Sequence, residues 1–213
     1  MKLKKILAGL LTFATCFCAV PCAWDTAAAA EGGLVSEKTE TTAVQDVYLQ
    51  AGKDADKQPS EYSNYQAGTL RTKNSNNQAT QEYTRKTLLT FSLDEADIAA
   101  GANHAELTLE LAAAPGADFS YFNVYETALW DAADITWNTS PERLADTPVK
   151  VTSADIQDNI VHIDVSSLVE SAVKAGKETI SFEFSIDTAV QDNMIDFAST
   201  RNTEGLLKPA LVT

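Results

Sequence analysis

The chain has 213 residues, 45% of them hydrophobic, so it can form one domain with a sizeable core or two small ones. Its 30 acidic and 16 basic residues give a formal net charge of -14 at pH 7. This charge repels nucleic acids and anionic membranes at long range, which leaves neutral ligands, cations or metal ions as the expected partners. A simpler explanation is that an acidic surface keeps an exported protein in solution.

The first 30 residues have the pattern of a secretory signal peptide. Three lysines open the chain, residues 6–20 are apolar, and the alanines at 27–30 offer a cleavage site after Ala30. Cleavage there would remove three lysines and Asp25, leaving 13 basic and 29 acidic residues and a net charge of -16. We therefore expect a secreted or extracellular protein. No second long apolar run predicts insertion into a membrane.

All three cysteines, Cys16, Cys18 and Cys22, lie within this signal segment. The residues before Cys16 and Cys22 do not match a lipoprotein signal, so lipidation is not expected. The mature chain would contain no cysteine, and its domain would have to be stable without disulfides.

Residues 31–43 are rich in Gly, Ser, Thr and Glu, and we interpret them as a linker that precedes a folded domain at residues 44–213. Within the domain, alternation of apolar and polar residues is clearest at residues 83–93, 105–111 and 179–187. Such alternation is typical of an antiparallel sheet with one buried face. The predicted strands are 44–50, 65–73, 83–93, 105–111, 119–127, 149–152, 159–165, 179–187, 194–200 and 206–213.

One short helix is predicted among these strands. Ser167 and Glu170 have the spacing of a capping box, and Gly176 can end the helix. Many short strands with one helix and no internal repeat predict an all-β fold, an antiparallel β-sandwich with a jelly-roll-like topology.

A series of short motifs follows the predicted strands. Each motif is weak alone, but their order makes the set specific. The motifs are Asp46-Val47-Tyr48, Asn64-Tyr65-Gln66, Leu89-Thr90-Phe91-Ser92-Leu93, Ala105-Glu106-Leu107-Thr108-Leu109, Trp130, Ile135–Pro141, Asp164–Val169, Phe197-Ala198-Ser199 and Pro209-Ala210-Leu211.

This ordered set resembles the DNRLRE domain, also classed as carbohydrate-binding module family 96. Gln66 departs from the glycine of the family, and Arg201-Asn202 stands where an acidic residue is common. The resemblance implies a secreted, non-catalytic β-sandwich that binds carbohydrate. Its characterised relatives include binders of acidic algal polysaccharide, which this acidic chain would repel unless it has a local basic cluster.

Sugar-binding modules need flat aromatic faces and a few planar polar groups. Tyr62 and Tyr65 lie in a polar loop, where exposed rings are expected, and Tyr125 is a further candidate. Trp130 and Trp137 fall in the connection at residues 130–148, and we interpret both as structural.

Arg71, Lys73, Arg85 and Lys86 lie in adjacent predicted strands. If these strands pair, the arginines form a positive patch that can bind a uronate through paired hydrogen bonds. The alternative is an ordinary solvated face. The predicted ligand-binding residues are Tyr62, Tyr65, Arg71, Arg85 and Tyr125.

Structural calcium is common in jelly-roll sugar binders and needs several carboxylate or carbonyl oxygens. Asp54, Asp56, Asp192 and Asp196 are the candidate ligands, although neither pair has the EF-hand register. Calcium is therefore a candidate structural cofactor, and no other cofactor is expected.

A catalytic site is hard to assemble from this composition. The chain has two histidines, no cysteine after the signal segment and no Gly-x-Ser-x-Gly motif, and nothing selects a glycosidase carboxylate pair. We expect a non-catalytic module that binds a polysaccharide or glycan, with other domains of a surface or secreted assembly as possible partners. The alternatives are a structural or adhesive cell-surface spacer without sugar affinity and a small polysaccharide-active enzyme.

Overall fold

The fold consists of two antiparallel sheets. The computed structural model describes residues 38–62, 65–74, 82, 84–93 and 104–213, which lie within one compact unit, Glu37–Thr213. The strands in these residues are β1 (Glu40–Thr42), β2 (Gln45–Gln50), β3 (Thr69–Lys73), β4 (Arg85–Ser92), β5 (Glu106–Glu110), β6 (Tyr121–Thr127), β7 (Val149–Thr152), β8 (Ile156–Gln157), β9 (Ile160–Asp164), β10 (Thr179–Ser185), β11 (Met194–Ala198) and β12 (Ala210–Val212).

Sheet 1 has the strand order β1-β12-β5-β9-β8, and sheet 2 has the order β11-β3-β4-β10-β6-β7, with β2 also paired to β4. The helix α1 spans Ser166–Lys174. Short 3-10 helices cover Gly52–Asp54, Pro59–Glu61, Tyr65–Ala67 and Ser153–Asp155. This arrangement confirms the predicted all-β sandwich with one short helix. No helix in the described parts of the chain is long and apolar enough to cross a lipid bilayer.

The predicted linker at residues 31–43 differs from the structure in its last part. Glu40–Thr42 forms β1, which pairs with β12, and the Thr39 and Thr213 backbones exchange two hydrogen bonds of 2.9 Å. Pairing with the end of the chain orders this polar segment, whose composition alone predicts no structure. The predicted signal peptide at residues 1–30, residues 31–37, Asn64 and Tyr83 lie outside the described residues.

The main core lies between the two sheets and includes a cluster of phenylalanines. Phe122, Phe184 and Phe197 are fully buried, and their ring centroids are 5.5 to 5.8 Å apart. They belong to β6, β10 and β11, and three strands separate β6 from β11 in sheet 2. Sheet 2 must therefore curl to bring these rings together. Each buried phenylalanine contributes about 1.5–3 kcal/mol.

A second apolar cluster covers the opposite face of sheet 2. Val47, Leu49, Leu88 and Ile135 are buried there, and both Trp130 and Trp137 pack against them. The long connection after β6 supplies Ile135 and the tryptophans, which agrees with the structural interpretation of both tryptophans. As a result, β4 is buried on both of its faces.

A buried carboxylate joins β2 to the turn after β11. Asp46 is 2% exposed and accepts hydrogen bonds from the Thr200 amide at 2.7 Å and hydroxyl at 2.8 Å. Arg201 Nη1 donates to the same carboxylate at 2.6 Å, and its guanidinium lies 4.1 Å from the ring centre of Tyr65. These contacts fix the chain that follows β11 against the start of β2.

Replacing Gly68 should destabilise the domain more than replacing Gly176. Both glycines have positive φ, 66° and 71°, but only a Cβ on Gly68 would meet backbone, at 2.5 Å from Asn202 Cα. Gly176→Ala should lose about 1–2 kcal/mol from its backbone conformation alone, whereas Gly68→Ala should lose about 2–5 kcal/mol. Urea unfolding of the two variants measures both losses of unfolding free energy. Equal losses would contradict the close packing at Gly68.

Asp46→Asn should lower the free energy of unfolding by about 2–5 kcal/mol, because it leaves the Arg201 charge without its buried partner. Glu170→Gln is the matched control, since it removes one acid from a surface ion pair with Lys174 on α1. The control should change stability by less than about 1 kcal/mol. Similar losses in the two variants would mean that the Asp46 pair contributes no more than a surface pair.

Candidate functional site

A pocket of about 130 Å³ lies beside β3, at the beginning of β4. We call it the arginine pocket, because Arg71 and Arg85 line it together with Tyr48 and Asp196. Alternation along β3 explains how Arg71 reaches it: Leu70 and Thr72 are fully buried, so the residue between them points the other way. The predicted proximity of the two arginines is therefore observed, and β3 meets β4 at the Lys73–Arg85 pair.

Arg71 is held in place by Asp196. Its Nε donates to Oδ1 at 2.7 Å and its Nη2 donates to Oδ2 at 2.5 Å, so the arginine–carboxylate pair is bidentate. Asp196 is 4% exposed, and its hydrogen bonds raise the pKa of Arg71. Two of the five N–H groups of the guanidinium are used in this way.

Arg85 is held through a chain of polar contacts from the first 3-10 helix. Its Nε donates to Gln50 Oε1 at 3.1 Å, and Gln50 Nε2 donates to Asp54 Oδ2 at 2.6 Å. Burial and then repulsion from Arg71 lower the pKa of Arg85. Burial, followed by repulsion from Arg85 and Arg71, also lowers the pKa of Lys73. Three cations therefore lie close together at this end of β3.

The structure also assigns a place to Tyr48, which the sequence interpretation did not select as a binding residue. Tyr48 lines the arginine pocket, and its ring stacks on that of Tyr62 at 5.1 Å between centroids. Burial raises the pKa of both phenols. Alternation along β2 places Tyr48 on the same face as Gln50, but the sequence does not show that this face meets Arg85, since their contact depends on the pairing of β2 with β4.

The predicted aromatic residues do not converge on this pocket. Tyr62 is 7% exposed, so its predicted exposure is wrong. The polar loop turns its ring inward, and its hydroxyl accepts a hydrogen bond from the backbone N–H of Gln50 at 3.1 Å. Tyr65 is half-buried beneath Arg201. Tyr125 does not line the pocket, and its ring centre lies 3.7 Å from the guanidinium of Arg143.

The four aspartates proposed as calcium ligands have separate partners. Asp54 pairs with Lys57 at 2.7 Å, while Asp56 accepts a hydrogen bond from Asn138. Asp192 accepts from the Ala117 amide at 2.7 Å, and Asp196 uses both oxygens on Arg71. Within the described ranges, no group of three or more His, Cys, Asp or Glu side chains could hold a metal ion. Calcium stays a prediction.

The histidines lie on sheet 1 and not at this pocket. His162 Nδ1 is 2.8 Å from Glu106 Oε1, and His104 Nε2 is 3.5 Å from the other oxygen of the same carboxylate. Both side chains are partly exposed, as is usual for surface residues.

Comparison with known proteins agrees with the motif order. No curated protein matched the chain. A family model for carbohydrate-binding module family 96 matched residues 37–213, which include both sheets and the arginine pocket. The match covers most of the sequence, so the chain belongs to carbohydrate-binding module family 96.

Proposed function

We propose that this protein is a secreted, non-catalytic module that binds an acidic polysaccharide through the arginine pocket. One observation carries the proposal: Arg71 and Arg85 line a single pocket, and Lys73 follows on the same strand beside Arg85, in a protein whose net charge is -14. Membership of a carbohydrate-binding family supports a sugar as the ligand. The charge of the pocket supports a sugar that bears a carboxylate.

The geometry supports recognition of one carboxylate by preset donors. Asp196 fixes the plane of the Arg71 guanidinium and leaves three of its N–H groups to other partners. Gln50 and the Tyr48–Tyr62 stack limit the movement of Arg85 and the pocket wall. Such preorganisation reduces the side-chain entropy lost on binding.

The same surroundings support binding without catalysis. Among the described residues that line the arginine pocket, Asp196 is the sole carboxylate, and it is paired with Arg71. Glycoside hydrolysis ordinarily needs two carboxyl groups on either side of the bond. Export rests on the signal pattern of residues 1–30 and would place the protein in contact with polysaccharides and with other domains of a surface assembly.

Arg85→Gln should weaken binding of a soluble polyuronate by about tenfold or more, because it removes one charge-assisted contact. Lys177→Gln is the matched control: it removes a cation that pairs with Glu126, outside the arginine pocket. Isothermal titration calorimetry measures the affinities, and thermal unfolding shows whether each variant remains folded.

Chemical reduction of the polyuronate carboxyl groups supplies the matched ligand control. The reduced, neutral polymer should lose most of its affinity for the wild-type chain. Equal binding of the two polymers would contradict recognition of an acidic sugar. If neither binds, the alternative of a structural or adhesive spacer gains support.

Binding of the polyuronate should be stronger at about 150 mM salt than at about 10 mM salt. The Debye length falls from about 30 Å to about 8 Å over this range, so the repulsion from the whole acidic protein is screened, while partly buried contacts are screened much less. Titrations of the wild-type chain at both salt concentrations measure this effect. A steady loss of affinity from the lowest salt upward would indicate a non-specific ionic attraction instead.

A further inference from the structure

A second pocket, of about 300 Å³, lies on the face of sheet 2 that points away from the sandwich core. We call it the outer pocket; Lys86, Trp137, Arg143, Glu183 and Ser185 line it. Alternation in β10 places it there, since Phe182 and Phe184 enter the core and the residues between and after them face outward.

The outer pocket shares a side chain with the arginine pocket. Arg85 lines both of them. Arg85 and Lys86 are consecutive at the start of β4, so their side chains leave opposite faces of the strand. Arg71 on β3 lines the first pocket and Asn74, directly after β3, lines the second, and three residues of extended chain span about 10 Å. The two pockets therefore lie close together around the start of β4.

The charges of the outer pocket are already neutralised within the protein. Glu183 is 2% exposed, and it accepts hydrogen bonds from Arg143 Nε at 2.9 Å and Nη2 at 2.6 Å. Lys86 Nζ lies 3.0 Å from the same carboxylate, donates to Ser140 Oγ at 2.7 Å and sits 4.8 Å from the ring centre of Trp137. Because these contacts occupy the cations, a second carboxylate gains little here.

The remaining lining suits an uncharged sugar surface. Ser185 Oγ accepts from Arg143 Nη2 at 3.0 Å and Asn74 Nδ2 donates to the Ile186 carbonyl at 2.7 Å, and each side chain keeps further hydrogen-bonding capacity for a sugar hydroxyl. Trp137 provides apolar surface for C–H groups. Asp187 also lines the pocket and would repel a carboxylate. The chemistry of the two pockets is thus different, although Arg85 lines both of them.

We propose that the ligand binds as a chain of at least two linked sugars, with a uronate in the arginine pocket and the hydroxyl face of a neighbouring sugar in the outer pocket. This inference rests on the proposed function and adds two requirements to it. Affinity must depend on chain length, and the carboxylate requirement must apply to only one of the two bound sugars.

The test compares a monouronate, a diuronate, a tetrauronate and mixed disaccharides of one uronate and one neutral sugar, each titrated into the full chain and followed by NMR. The tetrauronate should bind about tenfold or more tightly than the monouronate. The uronate and the neutral sugar can be linked in two orders, and one of these two disaccharides should bind as tightly as the diuronate.

Ser185→Leu, which narrows the outer pocket, should reduce tetrauronate affinity to that of the monouronate and leave monouronate binding unchanged. Asn74→Ala should likewise weaken tetrauronate binding and leave monouronate binding unchanged. It replaces Ser185→Leu in the test if the leucine variant does not fold. Lys177→Gln, outside both pockets, should change neither affinity.

The outcomes separate this inference from the proposed function. Failure of every acidic sugar to bind the wild-type chain would reject the proposed function itself. If the sugars bind but the tetrauronate gains nothing over the monouronate, or Ser185→Leu lowers both affinities equally, the two-pocket inference is wrong and the arginine pocket stands alone.

Discussion

The structure depends on burial of β4 from both sides. Leu89 and Phe91 enter the core between the sheets, Leu88 enters the cluster beneath the tryptophans, and all three are fully buried. A strand in this position has no solvent to satisfy its polar groups, so Thr90 hydrogen-bonds to Ser181 at 2.8 Å. Charged residues become possible only where the strand begins, at Arg85 and Lys86, and the two pockets lie at this end of β4.

Buried acids pair with several of the arginines and lysines of this protein. Asp46 binds Arg201, Glu183 binds Arg143 and Lys86, and each of these carboxylates is nearly inaccessible. Removing a charge from water is tolerated when a close partner compensates it. At the arginine pocket Asp196 compensates Arg71, and Arg85 lines the same pocket with Lys73 next to it on the neighbouring strand. Three cations therefore lie close together in an acidic protein.

Alternation of residues predicted most strands, since a buried sheet face leaves a period of two in the sequence. It also placed Arg71 and Arg85 on neighbouring strands. Strand β1 could not be predicted in this way, because its order comes from pairing with the end of the chain. Tyr62 is buried by its contacts with Tyr48 and Gln50 of β2, and Glu183 is buried beneath Arg143. Contacts of that kind leave no periodic signal.

Under the proposed function, the acidic surface and the arginine pocket would act together on selectivity. Long-range repulsion weakens the approach of every polyanion, including nucleic acids, whereas the arginine pocket would compensate only a ligand that places an anionic group at Arg71 and Arg85. Specificity would arise from this difference, because the surrounding charge disfavours polyanions that make no contact with the pocket. A surface that were basic throughout would bind acidic polysaccharides as well, but it could not distinguish them from other polyanions.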